Sequence, residues 1–278
     1  MTDKIENSKS TGLLGKRLEQ LVVVKIGGNI IDDDTKLSQF LKDFSGIDGK
    51  KILVHGGGKL ATQLAERLGI PQTLLDGRRI TDAETLKIVT MVYAGYINKR
   101  IVSLLQANHC QSIGLSGADG NLILAHQRNH PTIDYGYAGD IDRLNSSLFV
   151  DLLEKGNSLV IAPITHDGQG QLLNTNADTI AQEIARALSS EYAVNLIYSF
   201  EKSGVLLDAH DDRTVIPSID PAYYEQLKKD KKIFAGMIPK IDNAFAALKS
   251  GVKKVTIGKA EELKQIIQHA AGTKITNE

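Results

Sequence analysis

Residues 21–31 read LVVVKIGGNII, four apolar residues running into a lone lysine and then into the pair Gly27-Gly28. A short β-branched run bounded by a glycine turn is the pattern of a strand buried on both faces, as in a parallel sheet. Glycine removes the Cβ, so successive backbone amides can approach and cradle an anion, to which Lys25 adds a point charge. Residues 51–60, KILVHGGGKL, repeat the construction with three glycines. In open α/β sheets ligands sit beyond the carboxyl ends of the strands, where such turns lead into helices. Either turn alone is equally well read as a tight connection; two in successive units point to a phosphate site.

Further strand-like runs follow at 111–116, 122–126, 158–164, 193–198 and 253–258, separated by helical periods. Ala177, Ile180, Ala181, Ile184, Ala185 and Leu188 form one apolar stripe. Ile241, Ala244, Phe245 and Leu248 form another, with Gly251 as its stop. Residues 82–108 read as one long helix, or two with a break near Gly95. Regions 127–145 and 199–220, rich in Gly, Asp and Ser, read as loops. The expected fold is α/β, a three-layer αβα sandwich around a mostly parallel open central sheet. Residues 1–20 read as a partly disordered extension. Residues 21–278 read as a single domain with two lobes, about 21–170 and 171–278.

The 278 residues carry 33 basic and 33 acidic side chains, so no global field draws in nucleic acid or an acidic membrane surface. Any anion site has to be built locally. Cys110, the single cysteine, excludes a disulfide framework and a cysteine metal cluster. The polar N-terminus has no apolar signal core, and no run reaches the roughly 18 apolar residues of a membrane span. A cytoplasmic protein is expected.

A Walker A loop is absent, because Leu60 follows Gly58-Lys59 where that motif needs Ser or Thr. Gly56-x-Gly58-x-x-Ala61, with Asp76 downstream, fits a variant dinucleotide fingerprint and keeps an oxidoreductase open as an alternative. That reading leaves Lys25 and Gly27-Gly28 unexplained. In DGRRIT (76–81), Arg78 or Arg79 offers a planar fork for a carboxylate, against the plainer reading of a solvated turn. In NTNAD (174–178), Asn176 or Thr175 serves as an N-cap and Asp178 favours the helix dipole, which leaves Asn174 unaccounted for. In GMIPK (236–240), Lys240 stands in the first turn of a helix, where a cation is disfavoured unless an anion lies near. The seven histidines are scattered, so no metal site is expected, and His55 is read as packed or hydrogen-bonded at its turn.

Taken in order, KIGGN, HGGGK, DGRRIT, NTNAD and GMIPK resemble the amino-acid kinase family from about Leu21 to Ile275, and within it the branch acting on N-acylated glutamate. The resemblance implies ATP-dependent phosphorylation of the side-chain carboxylate of N-acetyl-L-glutamate, with N-succinyl-L-glutamate as a competing substrate. Magnesium would be held mainly by phosphates and water. It implies catalytic roles for Lys25 and Lys240 at the transferring phosphoryl group, with Asp178 holding both lysines. Gly57, Gly58, Arg79, Asn174 and Asn176 would bind the acyl amino acid, and Gly27 and Gly28 the phosphates. Where many members carry an aspartate after the strand ending near residue 198, this chain reads YSFEKSGVLLD. Only Ser199 and Lys202 are nominated there as nucleotide contacts. A second carboxylate on a succinyl group would be met by Arg143, Arg78 or Lys59. The short N-terminal extension implies a homodimer through the 82–108 helix, without strong arginine feedback. Sibling kinases and a non-catalytic binding protein on this fold are the remaining alternatives.

Overall fold

A computed structural model describes residues 18–75, 78–208, 211–233 and 237–277. Most of the N-terminal extension, with Asp76, Gly77 and Gly236 of the motifs above, lies outside the described residues. The opening stretch forms β1 (Gln20–Ile26), α1 (Gly28–Ile31) and α2 (Asp34–Ser45). The second glycine stretch forms β2 (Lys50–His55) and α3 (Gly58–Arg67). A hairpin of β3 (Thr73–Leu75) and β4 (Arg78–Ile80) precedes a helical stretch made of α4 (Ala83–Thr90), a π-helical segment (Met91–Ile97) and α5 (Asn98–Ala107). Next come β5 (Ser112–Leu115), β6 (Ile123–Gln127), β7 (Gly139–Leu144), α6 (Ser146–Glu154), β8 (Ser158–Ile161), β9 (Ile164–His166), β10 (Leu172–Asn174) and α7 (Ala177–Leu188). The chain finishes with β11 (Ala193–Phe200), β12 (Ser218–Ile219), α8 (Pro221–Lys229), α9 (Ile238–Lys249), β13 (Lys254–Lys259), α10 (Leu263–Ile267) and β14 (Thr273–Ile275).

The central sheet runs β12-β14-β13-β11-β1-β2-β8-β5, with every pair parallel except β13–β14. Strand alternation divides its side chains between two cores. Leu21 and Val23 of β1 join Ile52, Val54, Val194, Leu196 and Tyr198 on the face covered by α7 and α9. Val22, Val24 and Ile26 face the other way, with Leu37, Phe40, Val89 and Ile101 of α2, α4 and α5. The three-layer sandwich follows, since a sheet apolar on both faces has to be covered on both. β1 continues to β2 on one side and receives β11 on the other. That makes its carboxyl end the switch point where a crevice opens.

Four departures from the sequence reading bear on the layout around the site. The run at 122–126 leaves the central sheet and joins a smaller one, ordered β10-β9-β6-β7. The run at 158–164 is two strands, β8 and β9, separated at Ala162-Pro163, where proline cannot donate to the ladder. Part of the supposed loop at 127–145 is strand β7, antiparallel to β6. The long helix does not break at Gly95; it widens into π winding from Met91 to Ile97, a form frequent at functional sites. Among the described residues no helix is long and apolar enough to cross a membrane.

Candidate active site

Strand parity decides where Lys25 points. It lies in register with Tyr198 and follows Leu21 and Val23 at two-residue spacing, which puts it on the same face as they are, the α7 face. Asp178 meets it there, in the first turn of α7, with Oδ1 2.8 Å from Lys25 Nζ. Lys240, near the start of α9 in the same layer, donates to Asp178 Oδ2 at 3.4 Å. Lys25 and Asp178 are largely withdrawn from water, their side chains 14% and 20% exposed. Burial by itself would raise the Asp178 carboxyl. Lys25 first and Lys240 second outweigh it and hold the group at about 2. The anion that Lys240 needed at a helix start is therefore Asp178. The cluster keeps one excess positive charge, since two ammonium groups share one carboxylate.

Beside this cluster lies a cavity of about 150 Å³, lined by Gly57, Gly58, Arg79, Asn174 and Asn176, all five nominated for the acyl amino acid. Asn176 caps α7, its Oδ1 accepting from the amides of Asp178 (2.8 Å) and Thr179 (3.2 Å). Asn174 Nδ2 donates to the buried hydroxyl of Thr81 at 3.0 Å. Arg79 is not a solvated turn residue but 8% exposed. Its Nη2 donates to Gly58 O and Thr62 Oγ1, both at 2.9 Å, and its Nη1 to Gln72 Oε1. All three acceptors are neutral, so the guanidinium is oriented without being neutralised. An oriented guanidinium with its charge uncompensated has the chemistry to pair with a carboxylate.

Gly57 takes φ +147° at the N-cap of α3 and lies against Ile97 and Tyr93, where a Cβ would overlap Ile97 Cδ1. A second cleft, lined by Gly27, Gly28, Lys59 and Phe200, shares Gly58 and Arg79 with the first. The two glycine turns thus face one continuous region at the carboxyl ends of β1 and β2.

The nucleotide candidates fare differently. Ser199 is one residue from Tyr198 on β11, so alternation sends it to the face opposite Lys25. Its hydroxyl is buried without a hydrogen-bond partner among the described residues. Lys202 lies 3.5 Å from Asp212 and is half exposed. The sequence reading missed Phe200, which lines the second cleft with its ring centroid 6.0 Å from Lys240 Nζ. It also missed Arg128, which lines the first cavity and pairs with Asp140. Phe200 stands within YSFEKSGVLLD, where only Ser199 and Lys202 drew a role, and an arginine 49 positions beyond Arg79 is ordinary loop composition by itself. Of the residues considered for a second carboxylate, Arg78 lines the first cavity and Lys59 the second, where it contacts Asn29, while Arg143 lies exposed on β7.

The amino acid kinase family profile matches residues 20–259. An acetylglutamate kinase of Cytophaga hutchinsonii is 52% identical over 93% of this chain and 99% of its own length. One from Bacteroides thetaiotaomicron is 52% identical over 88% of this chain and 96% of its own. Among solved structures, carbamate kinase of Giardia superposes with a TM-score of 0.67 over 92% of this chain and 98% of its own, at 12% identity, and shares the fold.

His55, at the end of β2, is completely buried, and burial first of all pushes its imidazole down to about 4. Between pH 6.5 and about 4 the unfolded chain binds a proton that the native ring refuses. Stability is then full above the ordinary histidine range and falls as pH drops, by about 3 kcal/mol in all. Urea unfolding of wild type and His55→Asn across that range is expected to show the variant losing less stability on acidification. Parallel curves would contradict the buried neutral ring.

Proposed function

The chain belongs to the amino acid kinase family, and on that premise we propose that it phosphorylates the side-chain carboxylate of N-acetyl-L-glutamate with ATP. The product is N-acetyl-L-glutamyl 5-phosphate, the second step of arginine biosynthesis. The observation carrying this reading is the Lys25–Asp178–Lys240 cluster set beside a cavity whose buried arginine has no anionic partner among the described residues.

Phosphoryl transfer is largely positioning and charge neutralisation. We assign Arg79, Asn174 and Asn176, with the Gly57 and Gly58 amides, to hold the acylglutamate so that its γ-carboxylate faces the lysines. That carboxylate is ionised at neutral pH, so the nucleophile needs no general base. Lys25 and Lys240 take up the charge that builds on the transferring group. Asp178 keeps the two ammonium groups from repelling each other and fixes their spacing. Gly27 and Gly28 offer amides to the nucleotide phosphates, with Lys202 as a further candidate contact beyond the end of β11. Magnesium supplies additional neutralisation when bound to the ATP phosphates. In this reading the ion would be carried mainly by the nucleotide phosphates and water, as magnesium commonly is. In this scheme residues up to about 170 form the substrate lobe and those beyond it the nucleotide lobe.

We further propose a cytoplasmic homodimer joined through the helix from α4 to α5. Its π-helical segment exposes Met91 and Tyr96, 56% and 58% accessible, beside Leu60 and Leu64 of α3. A second substrate reading rests on Arg78 and Arg128, which line the acylglutamate cavity together. Burial and the neighbouring Arg128 both lower the Arg78 guanidinium, with Asp140 opposing. An extra carboxylate, as on N-succinyl-L-glutamate, would relieve that crowding.

Hydroxamate trapping of the acyl phosphate with N-acetyl- and N-succinyl-L-glutamate side by side tests both readings. Turnover of either establishes the reaction, and the ratio of kcat/KM names the substrate; silence on both from folded protein rejects the assignment. Lys25→Ala is expected to lower kcat by about 10²-fold or more, as for loss of a transition-state charge contact. Arg79→Ala is expected to raise the acylglutamate KM by roughly 10- to 100-fold with the ATP KM nearly unchanged. Light scattering of Tyr96→Asp is expected to show monomer where wild type is dimer; an unchanged mass would move the interface elsewhere.

A further inference from the structure

The glycine turn after β2 lines the cavity, and the function proposed for it depends on which way its peptides point. Beneath it lies a buried polar chain that the chemistry above does not use. His55 Nδ1 is 2.9 Å from Gly56 O, and its Nε2 is 3.2 Å from Asn98 Nδ2. Asn98, 1% exposed at the start of α5, also donates to Val160 O in β8 at 3.0 Å. Its Oδ1 accepts from Lys99 Nζ at 3.1 Å, and Lys99 reaches Gly114 O in β5 at 2.8 Å. Gly114 has no room for a side chain, because a Cβ would overlap Asn98 Oδ1. Asn98 Nδ2 is a donor, so Nε2 must accept and Nδ1 must carry the ring proton. One tautomer alone satisfies both contacts.

We infer that His55 and Asn98 are positioning residues for the acylglutamate site. The Nδ1–H of a neutral His55 grips Gly56 O and so sets the peptide planes that aim the Gly57 and Gly58 amides, while Asn98 locks the ring. The inference rests on the reading that this turn binds the acylglutamate. The rest of the turn supports the same arrangement: Ile97 and Tyr93 wall Gly57 from below, and Arg79 holds Gly58 O from the side. Gly56 O is the remaining handle, and only His55 takes it among the described residues.

Two substitutions separate the two nitrogens. Asn in place of His sets an amide near the Nδ1 position, whereas Gln reaches toward Nε2. His55→Gln therefore keeps the Asn98 side and loses Gly56, and His55→Asn does the reverse. With folding checked by circular dichroism, His55→Gln is expected to raise the acylglutamate KM about tenfold, the value of one buried hydrogen bond, and to leave the ATP KM within about twofold. His55→Asn should recover most of that loss. Equal defects in both variants, or a lowered Tm with unchanged constants, would reduce the pair to core packing and overturn the proposal. Nitrogen-15 spectra of histidine-labelled wild type at pH 7 provide a check independent of activity and of any variant. They are expected to show His55 neutral and protonated on Nδ1; protonation on Nε2 overturns the proposal whatever the chain phosphorylates. If wild type turns over no acylglutamate but shows this tautomer, and His55→Gln shifts the Gly57 and Gly58 amide resonances where His55→Asn does not, the functional reading alone falls.

Discussion

Two ammonium groups and one carboxylate, withdrawn from water together, set the terms for the rest of this molecule. Lys25 and Lys240 would repel each other across a low-dielectric crevice, and either alone beside Asp178 would form an ordinary ion pair with nothing left for a ligand. Sharing one carboxylate between two lysines keeps both in place and leaves a net positive charge. The helices contribute oppositely: Asp178 is favoured at the start of α7, and Lys240 is disfavoured at the start of α9. The cluster therefore holds only if α7 and α9 are both pinned against the face of β1 that carries Lys25.

That requirement explains the layout of the apolar residues. Ile180, Ile184 and Leu188 of α7, with Ile241, Ala244 and Leu248 of α9, share a core with Leu21, Val23, Val194 and Leu196. Three segments far apart in sequence are brought to one end of β1 because β11 enters the sheet beside it instead of at an edge. Burial of the Val, Leu and Ile side chains among them is worth on the order of 1.5–3 kcal/mol each, so the core rather than the ion cluster fixes the geometry. The charges exploit a frame they do not create.

Much of that frame was legible in the sequence because it is written in local patterns. β1 and β2 announce themselves as apolar runs ended by glycine, and the α7 stripe repeats at helical spacing over Ala177–Leu188. The parity of Lys25 on its strand was readable in principle from the alternation of Leu21 and Val23 once the strand was assumed. What escaped is non-local or too short to carry a period. β9 and β10 have three residues each, and their pairing with each other and with β6 is a tertiary fact. Arg128 enters the cavity only because β7 folds back along β6, and Phe200 matters only because β11 runs a residue or two past the point where its glycine-rich relatives in this chain turn. Ser199 illustrates the converse: its place in the chain suggested a ligand contact, and the two-residue repeat of the strand turned it to the other face.

The π-helical segment carries the argument one step further. An ordinary α-helix offers one apolar stripe, yet the stretch from Ala83 to Ala107 has to present side chains in two directions. Val92, Tyr93 and Ile97 pack inward, and Asn98 reaches His55, while Met91 and Tyr96 remain outside. Shifting from i→i+4 to i→i+5 bonding over one wide turn rotates the following residues relative to the preceding ones. Val89 and Ile101 thereby share one core although a wide turn separates them, and Tyr93 meets Arg79 in the middle. The stretch places Ile97 under Gly57 and Asn98 beside His55 in consecutive positions. The irregular winding is thus the local cost of letting a single helix support the glycine turn on one side and keep an apolar surface on the other.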